Sequence, residues 1–198
     1  MDLAVKVQKM PIALQLVEEM QKDDIAPDSF TYSIILTGLK LNNSSQKLVQ
    51  ICLANIKQVI LSEEIKTDYV LFNSILDVSE KYELFEEITY FHELMHKKGI
   101  KDSSTVCQIL IRSYTKAGKY DEAIQVFENM LNSGMFIKEV TYGLILGTCS
   151  ISGRMNFAMK IFESLKIHDF NMNSIVFTTI LKGFIKTGAY KEALDFFQ

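Results

Sequence analysis

His92-Glu93-Leu94-Met95-His96 is the stretch of this 198-residue chain whose residue types and spacing point most directly to chemistry. On a helix, histidines four apart stand one turn above each other, where two imidazoles can hold a zinc ion and the adjacent glutamate can act as a general base. Gly99 and Asp102 follow at the spacing at which one class of zinc proteases places a glycine and a third ligand. The other histidine, His168, lies in a different part of the chain. Cys52, Cys107 and Cys149 are scattered and form no CxxC pair, so they read as reduced thiols in a core rather than as a disulfide framework or zinc site. No Gly-rich phosphate loop and no GxSxG nucleophile motif occurs, and the carboxylates are spread over helix faces and turn starts.

The elements that must position these groups are visible in residues 104–138. Val106, Ile109, Leu110 and Tyr114 share one face of a 3.6-residue helix, which Ala117-Gly118 ends. Asp121 and Glu122 then open a second helix, where acids complement the positive end of the dipole, and Ala123, Ile124, Val126, Phe127, Met130 and Leu131 supply its buried side. Helices this short are marginal alone, because isolated helices under about 12–15 residues rarely persist in water. The neighbours that complete them are copies of the same unit. The break recurs at Gly118, Gly153 and Gly188, the small contact residue at Ala123, Ala158 and Ala193, and the large apolar pair at Val126-Phe127, Ile161-Phe162 and Phe196-Phe197, a period of 35 residues. Such a period marks a helical solenoid. Cys107 takes the place of Tyr32, Phe72, Tyr142 and Phe177, a packing position. The register also accounts for HExxH: His92 stands where Phe127 stands, Met95 where Met130 stands and Gly99 where Gly134 stands, which puts His92 on the apolar face. On this reading the motif is a coincidence of the repeat. No residue is assigned to a metal, a cofactor or catalysis.

Composition agrees with such a fold. Hydrophobic residues make up 48% and charged residues 23%, two prolines interrupt the chain, and no apolar run of 18 residues exists to span a membrane. The net charge of −3 argues against a uniformly basic nucleic-acid surface, and Arg112 and Arg154 are the arginines among 21 basic residues, so phosphate contacts would be lysine point charges.

The chain reads as one array over 1–198: a partial repeat 1–28, a repeat 29–68 with five extra residues, repeats 69–103, 104–138 and 139–173, and a partial repeat 174–198. The excess is expected in the polar cluster Asn42-Asn43-Ser44-Ser45-Gln46. Both ends cut through a unit and Met1–Met10 lacks the Arg- and Ser-rich bias of a presequence, so a fragment of a longer protein is expected.

A 35-residue unit with the openings Ser29-Phe30-Thr31-Tyr32, Val70-Leu71-Phe72-Asn73 and Val140-Thr141-Tyr142, the middles Lys116–Ala123 and Lys186–Ala193, and the ends Phe127-Glu128-Asn129-Met130 and Ile25-Ala26-Pro27-Asp28 resembles the pentatricopeptide repeat family. The resemblance implies an all-α, right-handed α-solenoid and binding of single-stranded RNA, about one nucleotide per repeat, along first helices. It implies that bases are sandwiched by the second residue of each unit, here Phe30, Val70, Val140 and Ile175, with Thr105 the departure. It implies edge readout by the fifth and last residues: Ser33 with Asp68, Asn73 with Ser103, Gln108 with Lys138, Gly143 with Asn173, and Thr178 unpaired. The first two pairs resemble readable combinations, for guanine and cytosine, and the other two do not. Lys81, Lys116 and Lys186, at one place near the ends of first helices, would line a phosphate track. The resemblance leaves two readings open: RNA binding in organellar, mitochondrial RNA processing, stability or translation, and a protein scaffold inside a larger assembly such as a mitochondrial ribosome, with no base read.

Overall fold

The computed structural model describes residues 10–23, 25–63, 65–167 and 174–197, which hold eleven helices and no strand. In chain order they are α1 (Met10–Lys22), α2 (Ser29–Leu41), α3 (Gln46–Leu61), α4 (Tyr69–Lys81), α5 (Phe85–Lys97), α6 (Ser104–Lys116), α7 (Tyr120–Asn132), α8 (Glu139–Ser152), α9 (Met155–Ile167), α10 (Ser174–Lys186) and α11 (Tyr190–Phe197). They group into two compact units, Met1–Asp102 and Ser103–Gln198. In the first, α2 and α4 pack side by side with α3 and α5 behind them; in the second, α6, α8 and α10 form the corresponding row with α7, α9 and α11 behind.

Local chemistry explains why the helices start and stop where they do. Asp28, Ser45, Asp68 and Ser103 are N-caps whose side chains accept from Thr31, Leu48, Leu71 and Val106 backbone N–H groups. Gly118 and Gly188 end α6 and α10 at φ 74° and 75°, and Gly99 and Gly134 end α5 and α7 at 76° and 66°. At Gly99 the glycine N–H bonds His96 O and the Ile100 N–H bonds Met95 O, a Schellman closure that a side chain would strain. The same closure after α4 is built on Glu83, held at φ 55°.

The five extra residues of 29–68 do not sit in the polar loop as expected. The α2–α3 connection, residues 42–45, is one residue longer than its counterpart 82–84, while α3 runs 16 residues against 13 for α5. Most of the excess is therefore another turn of helix, with Ile56 and Ile60 of α3 fully buried.

Each unit has its own apolar core. Leu36, Leu39, Leu53, Ile60, Phe72, Leu76 and Phe91 are buried in the first. In the second, Phe127, Ile145, Cys149, Phe162 and Ile180 belong to one continuous cluster that also contains Cys107. All three cysteines are free, and burial raises the Cys149 thiol to about 11. No described helix is long and apolar enough to cross a membrane.

Candidate nucleic-acid interface

The rows of first helices carry the residues of interest. Their starts expose apolar side chains that the cores leave out: Phe30 is 66% exposed, Val70 40% and Val140 61%, all at the second position of a helix. Thr105, at the same offset, is also exposed. Asn173 and the side chain of Ile175 lie outside the described residues.

The fifth-position residues have diverse surroundings. Ser33 is buried and donates its hydroxyl to Ser29 O at 2.9 Å. Asp68 accepts from the Leu71 N–H at 2.8 Å and from the Ser29 hydroxyl at 3.3 Å, so Ser33 and Asp68 are gathered at one end of α2 with Ser29 between them. Asn73 has a buried Oδ1 with no hydrogen-bond partner, an unmet acceptor in a half-buried side chain. Gln108 donates to Thr141 Oγ1 at 3.0 Å and to Ser104 Oγ at 3.5 Å, which ties α6 to α8. Ser103 spends its hydroxyl on the α6 cap. Lys138 is exposed at the start of α8 and makes no cap bond. Open space surrounds Gly143 where a Cβ would stand. Thr178 is exposed but returns its hydroxyl to Ser174 O at 2.6 Å.

All three lysines expected to line a phosphate track are exposed, and two of them also make contacts inside the protein. Lys81 donates to Lys40 O at the end of α2 and to Asn43 Oδ1 at 2.5 Å, while Lys186 donates to Ile151 O of α8 at 3.0 Å. Both ammonium groups stand on the negative end of the preceding first helix, where orphan carbonyls and the dipole favour a cation. Lys116 is exposed and has interactions of its own. Sequence reasoning missed the polar seam these contacts belong to: Lys40 pairs with Asp77, Tyr82 donates to Leu39 O at 2.9 Å, and the Thr115 and Thr148 hydroxyls meet at 2.6 Å. The available signal was the pairs Lys40 with Asp77 and Thr115 with Thr148, polar residues 37 and 33 positions apart on successive first helices.

The histidines of HExxH are also corrected. His92 does not lie on the apolar face; its neighbour Phe91 is the buried ring. His92 Nε2 is 2.8 Å and His96 Nε2 2.9 Å from the same oxygen, Oδ1 of Asp102. Their side chains are 19% and 50% exposed and that of Asp102 is 28% exposed. Burial pushes the Asp102 carboxyl up, yet the hydrogen bonds and charge of the two imidazoles outweigh it and hold the group below 3.8.

Comparison with known proteins agrees with this architecture. Profiles described as PPR repeat family and PPR repeat match residues 1–40, 105–135, 140–170 and 175–198. Two pentatricopeptide repeat-containing proteins of Arabidopsis thaliana are 22% and 25% identical over 99% and 92% of this chain, and the second is named mitochondrial. The chain spans 33% and 19% of their lengths. Among solved structures, the pentatricopeptide repeat protein PPR10 from maize superposes with a TM-score of 0.80 at 18% identity, over 98% of this chain and 26% of that one. PPR10 in complex with an 18-nucleotide psaJ RNA element superposes at 0.73 and 23% identity, over 96% and 27%. With its 35-residue helix pairs, its capped and stacked first helices and these matches, the chain belongs to the pentatricopeptide repeat family and has its all-α solenoid fold.

Proposed function

We propose that this chain binds single-stranded RNA along its first helices and serves organellar, specifically mitochondrial, RNA processing, stability or translation. The observation that carries the reading is the set Phe30, Val70 and Val140: apolar side chains left in water at one repeated offset, the second residue of a first helix. Exposed flat or branched apolar surface at a fixed spacing suits unstacked bases, which gain about 1–3 kcal/mol each from stacking on aromatic side chains. The RNA-bound form of PPR10, a protein of the same fold, supports the assignment, and the relative named mitochondrial supports the compartment. Function on this reading is occupancy, since a bound strand can neither pair, nor be cleaved, nor be reached by other proteins.

One observation favours the scaffold reading instead. Ser33, Gln108, Lys81 and Lys186 already spend donors inside the protein, and the net charge is −3, so base readout and phosphate attraction are both thin. Affinity for a randomised single-stranded RNA pool, measured at two salt concentrations with duplex RNA and single-stranded DNA as controls, separates the two. Selective, salt-sensitive binding that weakens in Phe30→Ala and Val70→Ala is expected from the RNA reading. A folded chain that binds no RNA would replace it with the scaffold.

A further inference from the structure

We propose that His92, His96 and Asp102 form a three-ligand site for a zinc ion, or a divalent transition metal of similar preference, with water in the fourth place, clasping the end of α5 to the connection that follows it. The geometry is the first argument. Two imidazole nitrogens one helical turn apart converge on one carboxylate oxygen at 2.8 and 2.9 Å, and the three ligand atoms, one from each residue, lie within 4.8 Å of one another. A tetrahedral ion with bonds of about 2.0–2.1 Å holds its ligands about 3.3 Å apart, so it is admitted by rotations that open the two nitrogen–oxygen contacts by about half an ångström and set the two imidazole nitrogens at the same separation.

The second argument is the donor set. Two imidazoles with a single carboxylate suit zinc, copper or nickel, whereas magnesium and calcium want oxygen ligands. When the ion enters, each Nε2 presents its lone pair to the metal and the ring proton moves to Nδ1 or leaves to solvent, so binding weakens in acid.

The third argument is that the fold does not require these residues. The next repeat builds the same helix end and the same glycine closure with Phe127, Leu131 and Ile137 in the corresponding places. A repeat can close this corner with apolar side chains alone, so a buried-edge carboxylate between two imidazoles calls for another purpose. The arrangement is also preformed. Gly99 at φ 76° turns the chain so that Asp102 comes back over the last turn of α5, and the half-exposed His96 leaves a way in from solvent. None of this depends on RNA binding.

The test uses the whole chain, stripped with EDTA and titrated with zinc chloride in a calorimeter, and with cobalt chloride followed by visible absorption. One equivalent of metal, a tetrahedral cobalt spectrum and a higher melting temperature with zinc are expected, with magnesium failing to compete. His96→Gln, at a half-exposed position that keeps the fold, and Asp102→Asn should each weaken zinc binding on the order of 100-fold or more, since outer-shell partners alone are worth about 10–100-fold. Circular dichroism checks that both variants remain helical. Absence of saturable one-to-one binding, equal competition by magnesium, or unchanged affinity in both variants, which would put the metal on other groups such as the thiols, would each overturn the site.

Discussion

In residues 69–103 the corner where the second helix meets its connection is occupied by His92, His96 and Asp102; in residues 104–138 the same places hold Phe127, Leu131 and Ile137. The backbones agree. Each repeat is a pair of 13-residue helices, and each second helix ends on a left-handed glycine whose N–H, with that of the next residue, donates the same pair of closing hydrogen bonds. What differs is where the buried ring stands. Phe127 fills the core at this offset and meets Tyr142 edge-on at 5.7 Å, whereas in the earlier repeat Phe91, one residue before His92, is the buried ring. The comparison teaches that caps and glycine closures set the repeat's backbone, leaving the chemistry of the corner free to vary.

The largest test exchanges the two corners. Phe127→His places an imidazole in a fully buried apolar site with no carboxylate at the position of Ile137, and should cost about 3–5 kcal/mol by denaturant unfolding, as large aromatic truncations do. His92→Phe, at a part-exposed edge, should change stability by less than about 1 kcal/mol. Similar losses from the two would mean that the corners are not built differently. Next come the caps on which the repeats agree. Asp68→Ala and Ser103→Ala each remove a side-chain bond to the third residue of a first helix and should cost about 1 kcal/mol each. A loss at one and none at the other would break the equivalence of α4 and α6.

A smaller effect is expected at the closures between helices, where Glu83 stands at the place of Gly118. Glu83 is held at φ 55° and Gly118 at 74°, so Glu83→Gly should raise stability by about 0.5–1 kcal/mol while Gly118→Ala lowers it by a similar amount. Opposite shifts in melting temperature would confirm that both sites use the left-handed region. The smallest expected effect is that of acid on the caps. The Thr31 hydroxyl and N–H hold the Asp28 carboxyl below 3.8. A carboxyl lowered by folding stabilises the native state above its unfolded value and loses that contribution as pH falls through its folded value. Lowering the pH should therefore fray the start of α2 but not that of α6, whose cap is the hydroxyl of Ser103, and amide exchange at Thr31 and Val106 would show it.

The helices and their ends were largely legible because their signals are local. Gly118, Gly153 and Gly188 mark ends of first helices, and Asp121 and Glu122 occupy the first turn of α7. The extra length of 29–68 was misplaced because Gln46–Leu61 has no glycine or proline to say where its helix stops, and the neighbouring Asn/Ser cluster looked like the natural home for an insertion. Among the candidate interface residues, the exposure of Phe30, Val70 and Val140 follows from their offset in the repeat. The bonds of Ser33, Gln108, Lys81 and Lys186 were not legible, because their partners lie elsewhere on the helix or on a neighbouring repeat.

By itself, then, the sequence determined the period, the helix pairs, the glycine stops of the first helices and the residues that face away from the core, since each depends on propensity and spacing within a few turns. Tertiary structure decided which polar groups remain free. Helix ends present unpaired carbonyls, and side chains of the next repeat take them before any ligand can. It also decided that two histidines and an aspartate meet: the spacing of His92 and His96 is visible in the chain, but Asp102 reaches them only because a left-handed turn at Gly99 carries the backbone back over the helix it has just left.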